Sequence, residues 1–375
     1  MLFPFFIESD QIMKKKILLL GFSTALISPL ASADNQFQIF THFDAEIYTE
    51  AQPVQAFVDD FDAPLKSGDS AFTYNIFEVG VGYGNFKVGL QSRYDYVLNF
   101  DPDTAKYTHT EKNDLEFEDR FYTYYLDAKQ ATSNGVFVSY DFKFLDKNAL
   151  TITPKLSVFA SSHYQDAIVN GEIYSDEVEG AVTVDYNFSK DILFKKFSPS
   201  EKPEGLGYSL DIFADWQVND ELQVGFSVKD LLYKTEYEDS GSVKGQTTEI
   251  PFSEDDNGDI ITQPTVSLKT SAFGNTVSHD FEMEMRLQAF ADYRINDRFS
   301  TQLTLKRYDK DTFSQLKGRI HFWDHWRVQA GYETKSEAFL VGIENEYFGL
   351  NLQTDSLDLD KAYYANVNWY VNIKF

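Results

Sequence analysis

The sequence predicts an all-β protein, a transmembrane antiparallel β-barrel of about sixteen strands, with fourteen or eighteen also compatible. Three observations carry this. Apolar and polar residues alternate with period two through strand-length runs. Short polar turns alternate with longer acidic connections, as barrel topology requires. Aromatic residues make up 16% of the chain, with 23 Tyr and 34 Phe, although the mean hydropathy is only −0.37. A membrane barrel reconciles the two, because rings gather at both interfaces while lumen and loops stay polar.

From the N-terminus, Met13 opens a run with Lys14, Lys15 and Lys16, an apolar stretch from Ile17 to about Pro29, and the small-residue motif Ala31-Ser32-Ala33. This is the three-part pattern of a cleavable secretory signal, and its core is too short to span a bilayer as a helix. Cleavage is expected after Ala33. Residues 1–33 are thus an N-terminal extension plus signal peptide, Met1–Ile12 reading as a misplaced start, and 34–375 form the barrel. That length suits sixteen strands of ~10 residues with their connections.

Strands follow in order. Phe86, Val88, Leu90, Ser92, Tyr94, Tyr96 and Leu98 alternate with Lys87, Gln91, Arg93 and Asp95. Tyr208, Leu210, Ile212, Ala214 and Trp216 alternate with Asp211 and Asp215, and Phe281, Met283, Met285 and Leu287 with Glu282, Glu284 and Arg286. Turns at Gly84-Asn85, Asn219-Asp220-Glu221, Asn296-Asp297-Arg298 and Asp324-His325 read as periplasmic. Segments near 50–70, 101–115, 237–278 and 355–361 read as extracellular. The hydrophilic stretch Ser189–Gly207 stays open between a loop, an inward-folded segment and a further strand.

The last strand is the clearest. Tyr363, Ala365, Val367, Trp369, Val371 and Ile373 form one face; Tyr364, Asn366, Asn368, Tyr370, Asn372 and Lys374 form the other. Ending on Phe375, this run resembles the assembly signal of bacterial outer-membrane barrels, with Phe375, Ile373, Val371 and Trp369 carrying the resemblance. It implies the outer membrane of a Gram-negative bacterium, and as partners the barrel-assembly machinery, outer-membrane lipid and lipopolysaccharide.

Composition excludes other classes. Beyond the signal, no run of ~18 apolar residues offers a membrane helix. The absence of cysteine excludes a disulfide-stapled fold. A formal charge of −26 opposes nucleic-acid binding and docking on anionic surfaces through a basic patch. No cofactor or metal motif is present.

Candidate function lies on the inward face: Asp44, Glu46, Lys87, Arg93, Asp95, Asp211, Asp215, Lys229, Glu282, Glu284, Arg286, Lys306, Lys317, Arg319 and Arg327. Interspersed charges of both signs across a lumen create a transverse field that selects small polar solutes. A porin-like channel is therefore expected, against a lumen closed by ion pairs. Acidic loops (Glu236–Asp259 and Asp101–Asp119) read as solvated surface, with sharing of divalent cations with lipopolysaccharide, or favouring of cationic solutes near the mouth, as the alternative. Within Ser253–Ile261 a calcium loop fails, since Pro264 stands where a bidentate Glu is required. The histidines His42, His109, His163, His279, His321 and His325 carry no catalytic motif, so no enzyme is expected. Leu222–Lys234 loosely resembles strands of hydrophobic-solute transporters, which keeps carriage of hydrophobic compounds as the alternative, beside an adhesin or assembly scaffold. A homo-oligomer stays open, since oligomer interfaces would look like lipid-facing aliphatics.

Overall fold

The computed structural model describes residues 37–145, 149–174, 180–192, 203–254, 260–270, 276–323 and 325–375, with backbone alone over 247–254 and 260–270. The signal segment, residues 193–202 of the Ser189–Gly207 stretch, Asp255–Asp259 of the calcium-like turn and Asp324 of the Asp324-His325 turn lie outside the described residues.

Alternation produces eighteen strands: β1 (Phe37–Thr49), β2 (Ser70–Tyr83), β3 (Phe86–Phe100), β4 (Phe121–Tyr140), β5 (Phe142–Phe144), β6 (Leu150–Tyr174), β7 (Gly180–Phe188), β8 (Gly205–Gln217), β9 (Leu222–Glu254), β10 (Ile260–Thr270), β11 (Val277–Phe281), β12 (Arg286–Arg294), β13 (Phe299–Tyr308), β14 (Asp311–Phe322), β15 (Trp326–Glu333), β16 (Phe339–Glu344), β17 (Phe348–Thr354) and β18 (Tyr364–Lys374). They form one antiparallel sheet that closes through β1 and β18, from Gln38–Lys374 to Tyr48–Tyr364. The closed wall has 14 strands, the lowest count compatible with the sequence.

Four strands share a column of the wall with a neighbour. β5 continues β4 along β6. β7 stands above β8, both between β6 and β9. β12, β11 and β10 climb successively along the long β9. The region 237–278, expected as a loop, is thus largely wall extended beyond the membrane. On the opposite side β13 and β14 stop at Tyr308 and Asp311, so the wall is tall from β4 to β10 and low elsewhere.

Pairing fixes which face each residue takes. Asp44 faces Asn368, Glu46 faces Tyr74 and Asn366, and Arg93 faces Ser133, placing these on the lumen side. The opposite face carries an apolar belt around the wall, with Val81, Leu90, Val136, Leu303, Leu316, Val341 and Leu352 all exposed. A closed antiparallel wall with such a belt is an outer-membrane barrel: strands pair around the ring and present apolar side chains to lipid. No helix among the described residues is long and apolar enough to cross a membrane. The termini and short turns, including Gly84 at φ 59°, mark the periplasmic end.

Above the belt the outward face is covered. Asp101 caps a helix at Pro102–Lys112, accepting from the Asp103 N–H at 2.8 Å with Pro at the first position. Tyr107 of this helix packs on Tyr122 and Tyr124, which share a face of β4 with lipid-facing Val136. The short helix Val54–Val58 adds Phe57 against Phe100.

Candidate functional site: a sealed lumen beneath an aromatic chamber

The inward charges meet one another across the lumen. Arg93 on β3 grips Asp230 on β9 through two hydrogen bonds of 2.7 and 2.9 Å, and its Nη2 lies 2.7 Å from Asp95. Arg286 on β12 reaches the same Asp230 carboxylate at 2.7 Å. Arg93 and Asp230 side chains are only 3% and 1% exposed, so this cluster excludes water. Beside it Glu46 accepts from Lys306 Nζ at 2.9 Å, Tyr308 at 2.9 Å and Tyr364 at 2.6 Å, tying β1 to β13. Toward the periplasm Lys155 bridges Glu78 and, at 3.4 Å, Asp211. Charges buried this deeply persist only when paired and hydrogen-bonded. Among the described residues these contacts tie β3 to β9 and β12, and β1 to β13, across the lumen.

The chain places Asp230 by breaking its own alternation. Leu210 pairs with Leu232 and Ile212 with Val228, so Asp211 alone faces Lys229, Asp230 and Leu231. This three-against-one bulge puts Asp230 at φ 58°, a left-handed conformation Asp tolerates better than most residues. The Asp230 N–H donates to Asp211 Oδ1 at 2.8 Å, which holds the bulge.

Above the charges, aromatic residues fill the interior. Tyr48, Phe72, Tyr74, Phe159, Tyr164, Tyr233, Tyr237, Phe281, Phe313 and Tyr364 form one buried cluster with Met283 and Val97. Tyr164 stacks on Tyr237 with ring centroids 3.7 Å apart. Beside this chamber the wall is interrupted. Pairing of β9 ends at Lys229–Arg286 and resumes at Thr235–Phe281, so Asp230–Lys234 and Glu282–Met285 are unpaired across that seam. Exposed Leu231, Leu232 and Met285 edge it.

The other sequence candidates distribute around this core. Asp44 lies 3.7 Å from Lys229 and accepts from Asn366 at 3.0 Å. Lys87 meets Asp141 at 3.3 Å near the periplasmic end, where inward Asp215 is exposed. Arg319 binds Asp292, Gln302 at 3.1 Å and Gln329 at 3.1 Å; Arg327 lies 3.3 Å from Glu344, and Lys317 is half-buried beside them. Glu284 pairs with Lys129 at 3.2 Å. Glu282 corrects the expectation: it is exposed, while Phe281 and Met283, expected to face lipid, point into the chamber. The break in the strand at 282–285 resets the phase that simple alternation carries through.

Asp230, Glu78 and Lys155 were not singled out by the sequence reading. Asp230 had a signal: strict alternation from Val224, Phe226 and Val228 would put its carboxylate in lipid, which demands a bulge. At the seam closing the barrel, Phe375 N–H donates to Phe37 O at 2.9 Å and the two rings lie 5.9 Å apart. Trp369 pairs with Phe43 on the lipid face shared by Val371 and Ile373.

Histidine contacts are dispersed. Ser189 Oγ lies 3.0 Å from His163 Nδ1, Ser300 Oγ 3.2 Å from His321 Nε2, and Asp166 2.8 Å from His279 Nε2. Each pair uses a different histidine. Ser189 also accepts from the Tyr164 N–H at 3.0 Å, as a clamp between the end of β7 and β6.

No family model matches the chain. No curated protein matches it with significance. Among solved structures it is similar to the toluene transporter TodX of Pseudomonas putida, at 10% identity over 91% of this chain and 89% of that one, with a TM-score of 0.41. The toluene transporter TbuX of Ralstonia pickettii shares 10% identity over 91% and 89%, with a TM-score of 0.39. A FadL homologue of Pseudomonas aeruginosa shares 12% identity over 90% and 89%, with a TM-score of 0.30. The barrel assignment rests on this chain's own strand pairing.

Proposed function

We propose that this barrel carries small hydrophobic compounds across the outer membrane, admitting them to the aromatic chamber and releasing them sideways at the unpaired seam between β9 and β11–β12. The observation that carries the reading is the chamber's position, above a lumen crossed by buried ion pairs and beside a wall break with apolar edges. A small polar solute needs a continuous aqueous route, and the Arg93–Asp230–Arg286 cluster stands across it. An apolar solute gains by leaving water for the aromatic interior and again by passing to lipid. The inward charges then act as the seal rather than a selectivity filter. We further propose that the mature protein begins at Asp34, that Phe375, Ile373, Val371 and Trp369 form the surface read by the assembly machinery, and that lipopolysaccharide surrounds the tall extracellular wall.

Uptake of a radiolabelled monoaromatic hydrocarbon by cells with and without the protein tests the reading, alongside planar-bilayer conductance. Faster uptake with conductance near background is expected. An open aqueous pore without faster uptake would overturn it.

A further inference from the structure

The strap between β11 and β12 lacks a neighbour on either side. Arg286 pairs with Tyr308 at the top of β13, so Glu282–Met285 have neither β9 nor β13 as a ladder partner. Their backbone groups meet no other backbone group among the described residues. β9 at the same height is fixed from its far side, where β8 pairs with Leu232, Tyr233 and Lys234. The strap is therefore the side of the seam free to move, and pairing would satisfy its backbone.

The register above the seam fits such a closure. Tyr237 pairs with His279, Glu236 with Asp280 and Thr235 with Phe281. Continued downward without a slip, it sets Lys234 opposite Glu282, Tyr233 opposite Met283, Leu232 opposite Glu284 and Leu231 opposite Met285. Asp230–Lys234 is one residue longer than Glu282–Met285, and the extra residue is Asp230, where β9 already bulges. Faces agree as well. Tyr233 and Met283 already share the chamber, and Lys234 would gain the opposite charge of Glu282 on the outer face.

One contact opposes closure. In the paired register Glu284, next to inward Met283, would turn outward beside exposed Leu232, where a carboxylate is costly. Instead it turns inward and binds Lys129 on β4 at 3.2 Å.

We infer that the seam is a two-state zipper. In one state residues 282–285 pair with 231–234 and close the wall; in the other, the one seen here, Glu284 is latched to Lys129 and the wall is open. The inference rests on the transport reading, for which it supplies control of the exit. Lys129 and Glu284 are positioning residues that act on the strap rather than on the solute.

Cysteine cross-linking tests it, since the chain has no cysteine of its own. Directly opposite residues of an antiparallel pair lie about 4.5–5.5 Å apart, within disulfide range. Lys234→Cys with Glu282→Cys, in the barrel reconstituted in lipid, should therefore cross-link only while the strap is zipped. Glu236→Cys with Asp280→Cys, already opposite, is the control for oxidation and folding. Glu284→Leu and Lys129→Met should each speed the seam cross-link at least fivefold and leave the control unchanged. In cells, the barrel cross-linked at the seam should lose uptake of the radiolabelled hydrocarbon and regain it on reduction. Failure of the seam pair to cross-link in both Glu284→Leu and Lys129→Met, while the control pair does, would overturn the zipper. Efficient seam cross-linking with undiminished uptake would uphold the zipper and overturn release through the seam. Absence of uptake by the wild type would overturn the transport reading, and the cross-linking rates would still decide the zipper.

Discussion

Asp230→Asn is the sharpest perturbation of the sealed lumen. The substitution is nearly isosteric, and Asn also accepts the left-handed backbone at this position. It removes a charge that accepts three hydrogen bonds of 2.7–2.9 Å from two guanidinium groups. Arg93 keeps Asp95, but Arg286 loses its bonded carboxylate among the described residues and faces Arg93 in a dry interior. Breaking a buried pair from one side costs about 3–5 kcal/mol; retention of Asp95 sets the expectation at about 3 kcal/mol, the lower end of that range. Urea unfolding of the barrel refolded into lipid vesicles reads this as a lowered midpoint with an unchanged slope. Repulsion between the guanidinium groups should also open the seal, so ion conductance in planar bilayers should rise above wild type. Arg286→Met in the same background should restore part of both. A loss below about 1 kcal/mol, within the reach of an ordinary substitution, together with unchanged conductance, would refute the claim that this cluster closes the lumen.

Other expectations follow from local geometry. Gly135→Ala would place a Cβ 2.2 Å from Val158 O and 2.7 Å from Phe159 Cα, so β4 and β6 must separate; a loss of about 1–3 kcal/mol in the same unfolding assay is expected. Phe375→Ala removes the ring against Phe37, and the folded, heat-modifiable fraction in outer membranes should fall; an unchanged fraction would deny that ring a part in assembly. Two hydrogen bonds from Arg120 hold the Asp103 carboxyl below its usual range. The anchoring of segment 101–120 is then fully present above the unfolded value of about 3.9 and is lost as pH falls through the lower folded value. Pepsin cleavage in that segment should rise steeply below pH ~4, whereas Arg120→Met should be cleaved at a rate less sensitive to pH.

The architecture was readable because a barrel repeats one local rule. Period-two alternation needs only neighbouring residues, and β18 takes the faces that its Asn and aliphatic positions predict. The turns at Asn219 and Asn296 are readable too, since both residues cap them through their side chains; the turn that Asn345 caps in the same way is one the sequence reading passes over. What escaped was whatever depends on partners distant in sequence. Whether Lys306 lines water or binds Glu46 is decided by how far the wall flattens, and alternation carries no term for that. Phase failed where the strand was interrupted, at Glu282 and Asp230, and both interruptions border the candidate site. The 237–278 region reads as a loop because polar strands above the membrane lack the lipid-facing stripe that marks their lower halves.

β7 and β8 occupy one column of the wall and are separated by a long stretch of sequence. Phe188 faces Gly241 and Gly205 faces Tyr237, only four positions apart on β9, while residues 189–204 intervene. Both strands run in the same direction along β9, so the length of sequence between them leaves the direction of every later strand unchanged. Sequence can be gained or lost there without reversing any later strand or moving a single lipid-facing residue to the lumen. A junction of this kind lets a barrel gain or lose sequence while the register of all later strands is kept, which makes it the natural place to graft a reporter.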